Sequence, residues 1–352
     1  MTEDKKHLLV TGGCGFIGSN FIRYILENHP SWRVTNLDKL TYAGNTANLK
    51  GVEDNLAYNF VKGDILDRNK VDSLFEEKRF DAVVNFAAES HVDRSVLDPA
   101  PFVDTNIKGT QVLLDIVSEH WEGGYEDKRF IQISTDEVYG ELGETGKFTE
   151  DSPLEPNSPY AASKASADML CSAYYKTNGL PVIITRSSNN YGPYQFPEKL
   201  IPLMIRNALK GDKLPVYGEG KEVRDWLYVE DNCRAIDTVL RKGKAGEVYN
   251  IGGDSEKQNI EVVNKIVKLL EESPDTRDLN PNIQFIEDPR GEAHDFRYAL
   301  DTSKVQDLGW EPDQAFQGGM EKTVAWYLNH RKWIKEVAGK DHQEYTKETY
   351  ES

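Results

Sequence analysis

Thr11-Gly-Gly-Cys-Gly-Phe-Ile-Gly18 decides the fold. It follows a short apolar run, Leu8 to Thr11, and opens a helical stretch whose apolar face carries Phe21, Ile22, Ile25 and Leu26. Strand, glycine turn and helix in that order are the context that a dinucleotide fingerprint requires. Gly12, Gly15 and Gly18 permit a tight turn, close approach of backbone to a pyrophosphate, and close packing of helix on strand. The helix N-terminus adds amide donors and the positive end of its dipole. An ordinary glycine-rich turn would look the same taken alone, but Asp38 stands twenty residues past Gly18, at the end of the second strand-like run. A carboxylate there accepts from both hydroxyls of an adenosine ribose and repels a 2′-phosphate, which favours NAD over NADP. Lys39 is the cation beside it.

Outward from this motif, short β-branched runs alternate with amphipathic helical stretches as far as Asn190, the pattern of a parallel sheet covered on both faces. The strand runs are Leu8–Thr11, Val34–Leu37, Asn59–Lys62, Ala82–Phe86, Phe130–Ser134 and Val182–Thr185, with a seventh, Val248–Ile251, further on. Between Tyr191 and Trp226 the alternation gives way to Pro and Gly punctuation. One later helical face, Ile260, Val263, Ile266, Val267 and Leu270, is expected to start from an Asn259 N-cap, and a second uses Phe316, Met320, Val324, Tyr327 and Leu328. From Lys335 the chain is polar and without periodicity. The expected fold is therefore α/β, a Rossmann-type doubly wound parallel sheet with a smaller C-terminal α+β substrate-binding lobe. An NAD-binding domain over 1–190, completed by about 227–257, is expected beside a substrate lobe of 191–226 and 258–335, with 336–352 as a flexible tail.

At 352 residues, 38% hydrophobic and 29% charged, the composition is that of a soluble globular chain long enough for two lobes. No apolar run approaches the roughly 20 residues that span a bilayer, and the charged N-terminus lacks a signal-peptide core. No membrane association and a cytoplasmic location are expected. Cys14, Cys171 and Cys233 stand in no CxxC or His/Cys ligand pattern, so neither disulfides nor a metal site are expected. The formal charge of −17 argues against nucleic acid as partner. A nucleotide diphosphate would need basic residues gathered locally against that field.

Ser158-Pro-Tyr-Ala-Ala-Ser-Lys164 places Pro159 at the first position of a helix that runs to Asn178 and stops at Gly179. Tyr160 and Lys164, spaced i and i+4, share one face of it. The ammonium is expected to lower the phenol's pKa and favour a phenolate able to take a hydroxyl proton. Thr135-Asp-Glu137 follows the fifth strand. A polar cap with acids in the first turn accounts for it locally. An acid and a base beside an oxidising tyrosine also serve the elimination of water from a keto sugar.

Tyr-x3-Lys downstream of the glycine fingerprint and the Ser134-Thr135 strand end resembles the extended short-chain dehydrogenase/reductase superfamily over most of the chain. Asn189-Asn190-Tyr-Gly-Pro193 and Arg224-Asp-Trp-Leu-Tyr-Val229 resemble its sugar-nucleotide enzymes. Three longer runs, Asp38-Lys-Leu-Thr-Tyr-Ala-Gly44, Ala87-Ala-Glu-Ser-His-Val-Asp-Arg-Ser95 and Ser134-Thr-Asp-Glu-Val-Tyr-Gly140, resemble the dTDP-glucose 4,6-dehydratase family. That resemblance implies an NAD-dependent lyase that turns dTDP-glucose into dTDP-4-keto-6-deoxyglucose and water by transient oxidation at carbon 4. It implies Tyr160 and Lys164 as the oxidising pair, Thr135 holding the same oxygen, Glu137 as base at carbon 5 and Asp136 as acid at the carbon 6 hydroxyl.

The resemblance also implies cofactor contacts from Gly12, Gly15, Phe16, Ile17 and Gly18, then from Asp38, Lys39, Leu40 and Thr41. Asp64, Ile65, Ala87, Ala88, Thr105, Tyr160, Lys164 and Asn189 complete that set. For the sugar nucleotide it implies Ser90, Thr135, Asn190, Glu198, Lys199, Tyr217, Arg224 and Asn259, with Arg290, His294 and Asp295 in a loop longer than the family's. A homodimer joined by helices near Val112–Val117 and Met169–Tyr174 follows from the resemblance and from apolar residues there. Two alternatives stay open: another NAD-dependent sugar-nucleotide dehydratase or 4-epimerase, and a non-catalytic scaffold that reads the NAD pool.

Overall fold

The computed structural model describes residues 5–121, 124–288 and 295–338. Along the first strand, β1 (His7–Thr11), Leu8 and Val10 enter one core with Phe21, Ile22 and Ile25, whereas Leu9 enters another with Leu37, Leu113 and Val117. Successive side chains of a strand point to opposite faces, so a run apolar at every position must be covered twice. The other strands are β2 (Arg33–Asp38), β3 (Tyr58–Lys62), β4 (Ala82–Asn85), β5 (Arg129–Thr135), β6 (Val182–Ser187), β7 (Asn189–Tyr191), β8 (Leu214–Tyr217), β9 (Val223–Tyr228), β10 (Val248–Ile251), β11 (Glu256–Gln258) and β12 (Ile283–Ile286). Seven of them form one parallel sheet in the order β10-β6-β5-β4-β1-β2-β3. The late strand β10 closes this sheet beside β6, as its sequence implied.

Chain order reverses between β1 and β4, where such sheets open a crevice beyond their C-terminal ends. The register aligns those ends: Thr11 pairs with Leu37 and with Asn85, and Thr135 with Ser187. Two smaller sheets, β11-β9-β7 and β12-β8, surround a separate apolar cluster that includes Met204, Val263, Ile266, Met320 and Tyr327.

Three local expectations shift. The helix Asn259–Glu272 is capped by Gln258 rather than Asn259, because the Glu261 carboxylate accepts from the Gln258 amide at 2.7 Å and closes a capping box one residue earlier. The polar stretch expected from Lys335 begins inside a helix, Arg331–Val337, that buries Trp333, Ile334 and Val337. The apolar residues of the 112–117 segment, Leu113, Leu114, Ile116 and Val117, are spent on the chain's own core. Val96, Leu97, Val103 and Met169 are instead the exposed apolar side chains in that region.

The helix Pro159–Asn178 follows its sequence signals at both ends. Ser158 accepts from the Ala161 amide at 3.1 Å, Pro159 fills the first position, and Gly179 ends it at φ 69°, which glycine adopts without a Cβ penalty. Ser158→Ala should cost about 1 kcal/mol of stability and Ser158→Gly only a few tenths. Urea unfolding of both variants checks the order; equal losses would remove the capping role.

Candidate active site

A cleft of about 340 Å³ opens at the strand ends beside the switch point. Its floor is the glycine turn, and the turn has no room for side chains. A Cβ on Gly12 would lie 2.6 Å from the Ala87 amide nitrogen and 2.8 Å from the Phe86 carbonyl carbon. β1 and the chain leaving β4 therefore pass at backbone contact. The helix Phe16–Asn28 begins here with no side-chain cap and no acid in its first turn, which leaves its amides for an anion.

Asp38, at the tip of β2, is buried, and burial pushes its carboxyl up against hydrogen bonds from the Leu40 and Cys14 amides, both 2.8 Å. Leu40 sits at φ 60°, a left-handed conformation held by that bond. Lys39 is held by Asp64 at 2.7 Å across the mouth of the cleft, so this cation is committed to a carboxylate and does not offset Asp38. A turn that a Cβ would fill, a bare helix N-terminus and a buried acceptor on the second strand together fit the two halves of NAD.

Of the cofactor residues anticipated, all but Leu40 line the cleft, Thr105 and Asn189 included. Thr105 reaches it from a π-helical segment, Val103–Gly109, whose wide turn also aims Asn106 inward. Asn106 accepts from the Glu89 amide at 2.9 Å and donates to Ser163 at 2.8 Å, tying the chain after β4 to the Tyr160 helix.

Tyr160, Lys164, Thr135, Asp136 and Glu137 also converge on this cleft. Thr135 ends β5 and caps the turn Asp136–Tyr139, accepting from the Glu137 amide at 3.3 Å. The local capping explanation is thus true, and it coexists with burial that no cap needs. Asp136 is 2% exposed; Oδ1 accepts from the Thr135 hydroxyl at 3.2 Å, and Oδ2 has no hydrogen-bond partner among the described residues. Burial first, then the Glu137 and Asp225 carboxylates, push its pKa well above the usual carboxylate range. The burial therefore favours the neutral acid at Asp136.

The expectation that Lys164 lowers the Tyr160 pKa is not met in the chain alone. Lys164 is buried and donates its ammonium to the Ile133 carbonyl at 2.5 Å, and burial lowers it to about 8. Tyr160 is pushed up, by burial first and by the Glu137 carboxylate next.

Among the sugar-nucleotide residues, Ser90, Asn190, Glu198 and Lys199 line the cleft with Thr135. Lys199 donates to the Ser90 carbonyl at 3.1 Å. Tyr217, Arg224, Asn259 and Asp295 stand off its walls. Arg224 donates to the backbone carbonyls of Val223, Asp295 and Phe296. Asp295 accepts from Tyr298 and Asn157, Asn259 donates to Glu222 at 3.2 Å, and Tyr217 lies 3.5 Å from Asp93. Arg290 and His294 fall outside the described residues.

A family model described as GDP-mannose 4,6 dehydratase matches residues 9–323. A dTDP-glucose 4,6-dehydratase of Xanthomonas campestris pv. campestris is 54% identical over 337 residues, 94% of this chain and 95% of that protein. The chain belongs to the dTDP-glucose 4,6-dehydratase family. Crystal structures from this family agree. The dTDP-glucose 4,6-dehydratase of Bacillus anthracis, in complex with NAD, is 50% identical with a TM-score of 0.84, covering 94% of this chain and 99% of its own. A double mutant of the Streptomyces venezuelae dTDP-glucose 4,6-dehydratase, also with NAD, is 45% identical with a TM-score of 0.86 over the same shares.

For a dTDP-glucose 4,6-dehydratase family member, the linear reading passed over one charged group at the substrate end of the cleft. The Arg94 guanidinium lies 3.9 Å from the centre of the Tyr42 ring and 3.4 Å from Glu198, which is itself buried. Arg94 lies inside the Ala87–Ser95 run, so its place in a motif was visible but its partners, one of them 104 residues away, were not.

Asp136 carries a stability consequence. A carboxyl pushed up in the fold ionises more readily in the unfolded chain, so stability is full below the unfolded value of about 3.9 and is lost as pH rises through the folded value. Asp136→Asn, similar in shape and unable to ionise, should match the parent at about pH 4 and melt higher than it at neutral pH. Thermal melts across that range measure the difference, and a lower melt at neutral pH would contradict the burial account.

Proposed function

We infer that the chain is an NAD-dependent lyase that converts dTDP-glucose to dTDP-4-keto-6-deoxyglucose and water. The observation that carries this reading is the buried Asp136, its pKa pushed up by burial, lining with Glu137 the same cleft as Tyr160, Lys164 and Thr135. Bound NAD supplies the hydride acceptor for carbon 4, the donor that returns it to carbon 6, and a positive charge that favours the Tyr160 phenolate. Tyr160 takes the proton of the carbon 4 hydroxyl, with Thr135 on the same oxygen and the Lys164 charge one helical turn away. The ketone acidifies the carbon 5 hydrogen, which Glu137 removes while Asp136 gives its proton to the carbon 6 hydroxyl that leaves as water. Glu137 returns a proton to carbon 5, and the proton held by Tyr160 replaces the one Asp136 lost by way of solvent.

Asp38, with Lys39 neutralised by Asp64, supports NAD rather than NADP. Residues 1–190, completed by about 227–257, hold the dinucleotide in this reading, while 191–226 and 258–335 hold the dTDP group together with Lys199 and Arg94. A 4-epimerase has no use for an acid and a base at 136 and 137, and a non-catalytic scaffold has none for the whole constellation. A cytoplasmic location belongs to the same proposal; among the described residues no helix is long and apolar enough to cross a membrane.

Incubation with dTDP-glucose should give a product lighter by one water, and an unchanged mass would move the reading to the epimerases. Glu137→Gln should abolish exchange of the carbon 5 hydrogen with deuterated water. Asp136→Asn should slow elimination by about a hundred- to ten-thousand-fold, with carbon 5 exchange surviving. Parent-like turnover in both variants would end the dehydratase assignment.

The assembly proposed is a homodimer. Val96, Leu97 and Val103 are exposed on segments packed against the Tyr160 helix, on which Met169 is also exposed, so apolar side chains outside the chain's core are available there for a second copy. Light scattering at micromolar protein should give twice the chain mass; a monomer overturns it.

A further inference from the structure

The helix that carries Tyr160 and Lys164 has a third polar residue one turn further on, and the mechanism does not use it. Asp168 is 1% exposed. Its Oδ2 accepts from the Ser134 hydroxyl at 3.0 Å and from Arg186 Nε at 2.9 Å, and Oδ1 is buried with no donor among the described residues. Arg186, buried on β6, also donates to the Tyr139 hydroxyl at 2.9 Å, which in turn donates to Asn250 at 2.7 Å. Tyr139 ends the turn that Asp136 and Glu137 begin. Neither Asp168 nor Arg186 lines the cofactor cleft, so neither is placed to touch a reacting atom there.

Two consecutive residues of β5 thus grip one stripe of the helix: the Ile133 carbonyl holds Lys164 and the Ser134 hydroxyl holds Asp168. A buried ion pair is a poor way to gain stability, since apolar residues of similar volume do as well without the desolvation cost. What such a pair does supply is one geometry.

Building on the dehydratase reading, we propose that Asp168 is a positioning residue. With Ser134 and Arg186 it fastens the Tyr160–Lys164 face of the helix to the end of β5 and to the Asp136–Tyr139 turn. The oxidising pair and the eliminating pair then keep a fixed relation through the whole cycle.

The carboxylate acts on Lys164 as well. Burial lowers Lys164 to about 8, and Asp168 is the first group to oppose this, followed by Cys171 on the same helix. Tyr160 on the same helix and Asp136 and Glu137 from the turn after β5 line the same cleft as Lys164, and Arg186 from β6 is paired with Asp168. Loss of the Asp168 charge lowers the Lys164 pKa further, so the ammonium is lost at lower pH.

Asp168→Asn keeps an acceptor for Ser134 and removes the charge. With saturating NAD and dTDP-glucose its kcat should fall by about tenfold or more, as small misplacements of reacting groups do, at little change in KM. The alkaline limb of its pH–rate profile should move to lower pH, and Asp168→Glu should move that limb back. A parent-like kcat and profile would overturn the proposal. So would a fall in kcat with the alkaline limb unmoved, because a merely structural role predicts that. If Asp168→Asn yields no folded protein, Ser134→Ala decides by the same two readouts: lower kcat at constant KM with a displaced alkaline limb supports the proposal, and a parent-like kcat, or a fall with the limb unmoved, overturns it. The parent assayed alongside separates the two readings, since a parent without activity on dTDP-glucose removes the substrate assignment, whereas an active parent with unaffected variants removes only the role of Asp168.

Discussion

The bond from the buried Lys164 ammonium to the Ile133 carbonyl is the constraint around which the active site is arranged. An ammonium out of water must be hydrogen-bonded, and here it is satisfied by a strand backbone at the edge where the sheet opens. That requirement fixes the distance of the helix Pro159–Asn178 from β5, and with it the height of Tyr160 above Thr135. Ser134 and Asp168 repeat the attachment one turn along, and Arg186 extends it to β6 and to Tyr139. Asn106 attaches the helix from its other side through Ser163.

Held in this frame, the groups of the site are each in a state that the fold alone would not choose. Asp136 is buried with one oxygen unpartnered, Tyr160 is driven toward its protonated form, and Lys164 is weakened as a cation. The common cause is desolvation, and its direction is useful. It favours the protonated form both of Asp136, which suits the acid proposed there, and of Tyr160. A site assembled for stability would have solvated these groups.

Along the cleft, the chain's strong negative charge is managed pair by pair. Lys39 is bound to Asp64, and Arg94 is stacked on Tyr42 against Glu198. Asp38, by contrast, is held by the Leu40 and Cys14 amides.

What the sequence determined by itself is what depends on neighbours in the chain. The glycine spacing after β1, Pro159 and Gly179 at the ends of the Tyr-x3-Lys helix, the apolar strand runs and the late strand β10 were all legible, because turn sterics, capping and periodicity act over a few residues. Gln258 displaced Asn259 as a cap through the same kind of short-range bond, one residue off. Only the tertiary structure decided the rest. Thr135-Asp-Glu137 read locally as a helix cap, which it is, and only packing showed that Asp136 is also buried near the Asp225 and Glu137 carboxylates. Arg224 spends its guanidinium on backbone carbonyls some seventy residues away, Asp168 meets an arginine on β6, and the apolar residues of 112–117 face inward. Charge state and partner choice depend on which groups share a dry volume, and that is set by the packing of segments far apart in the chain.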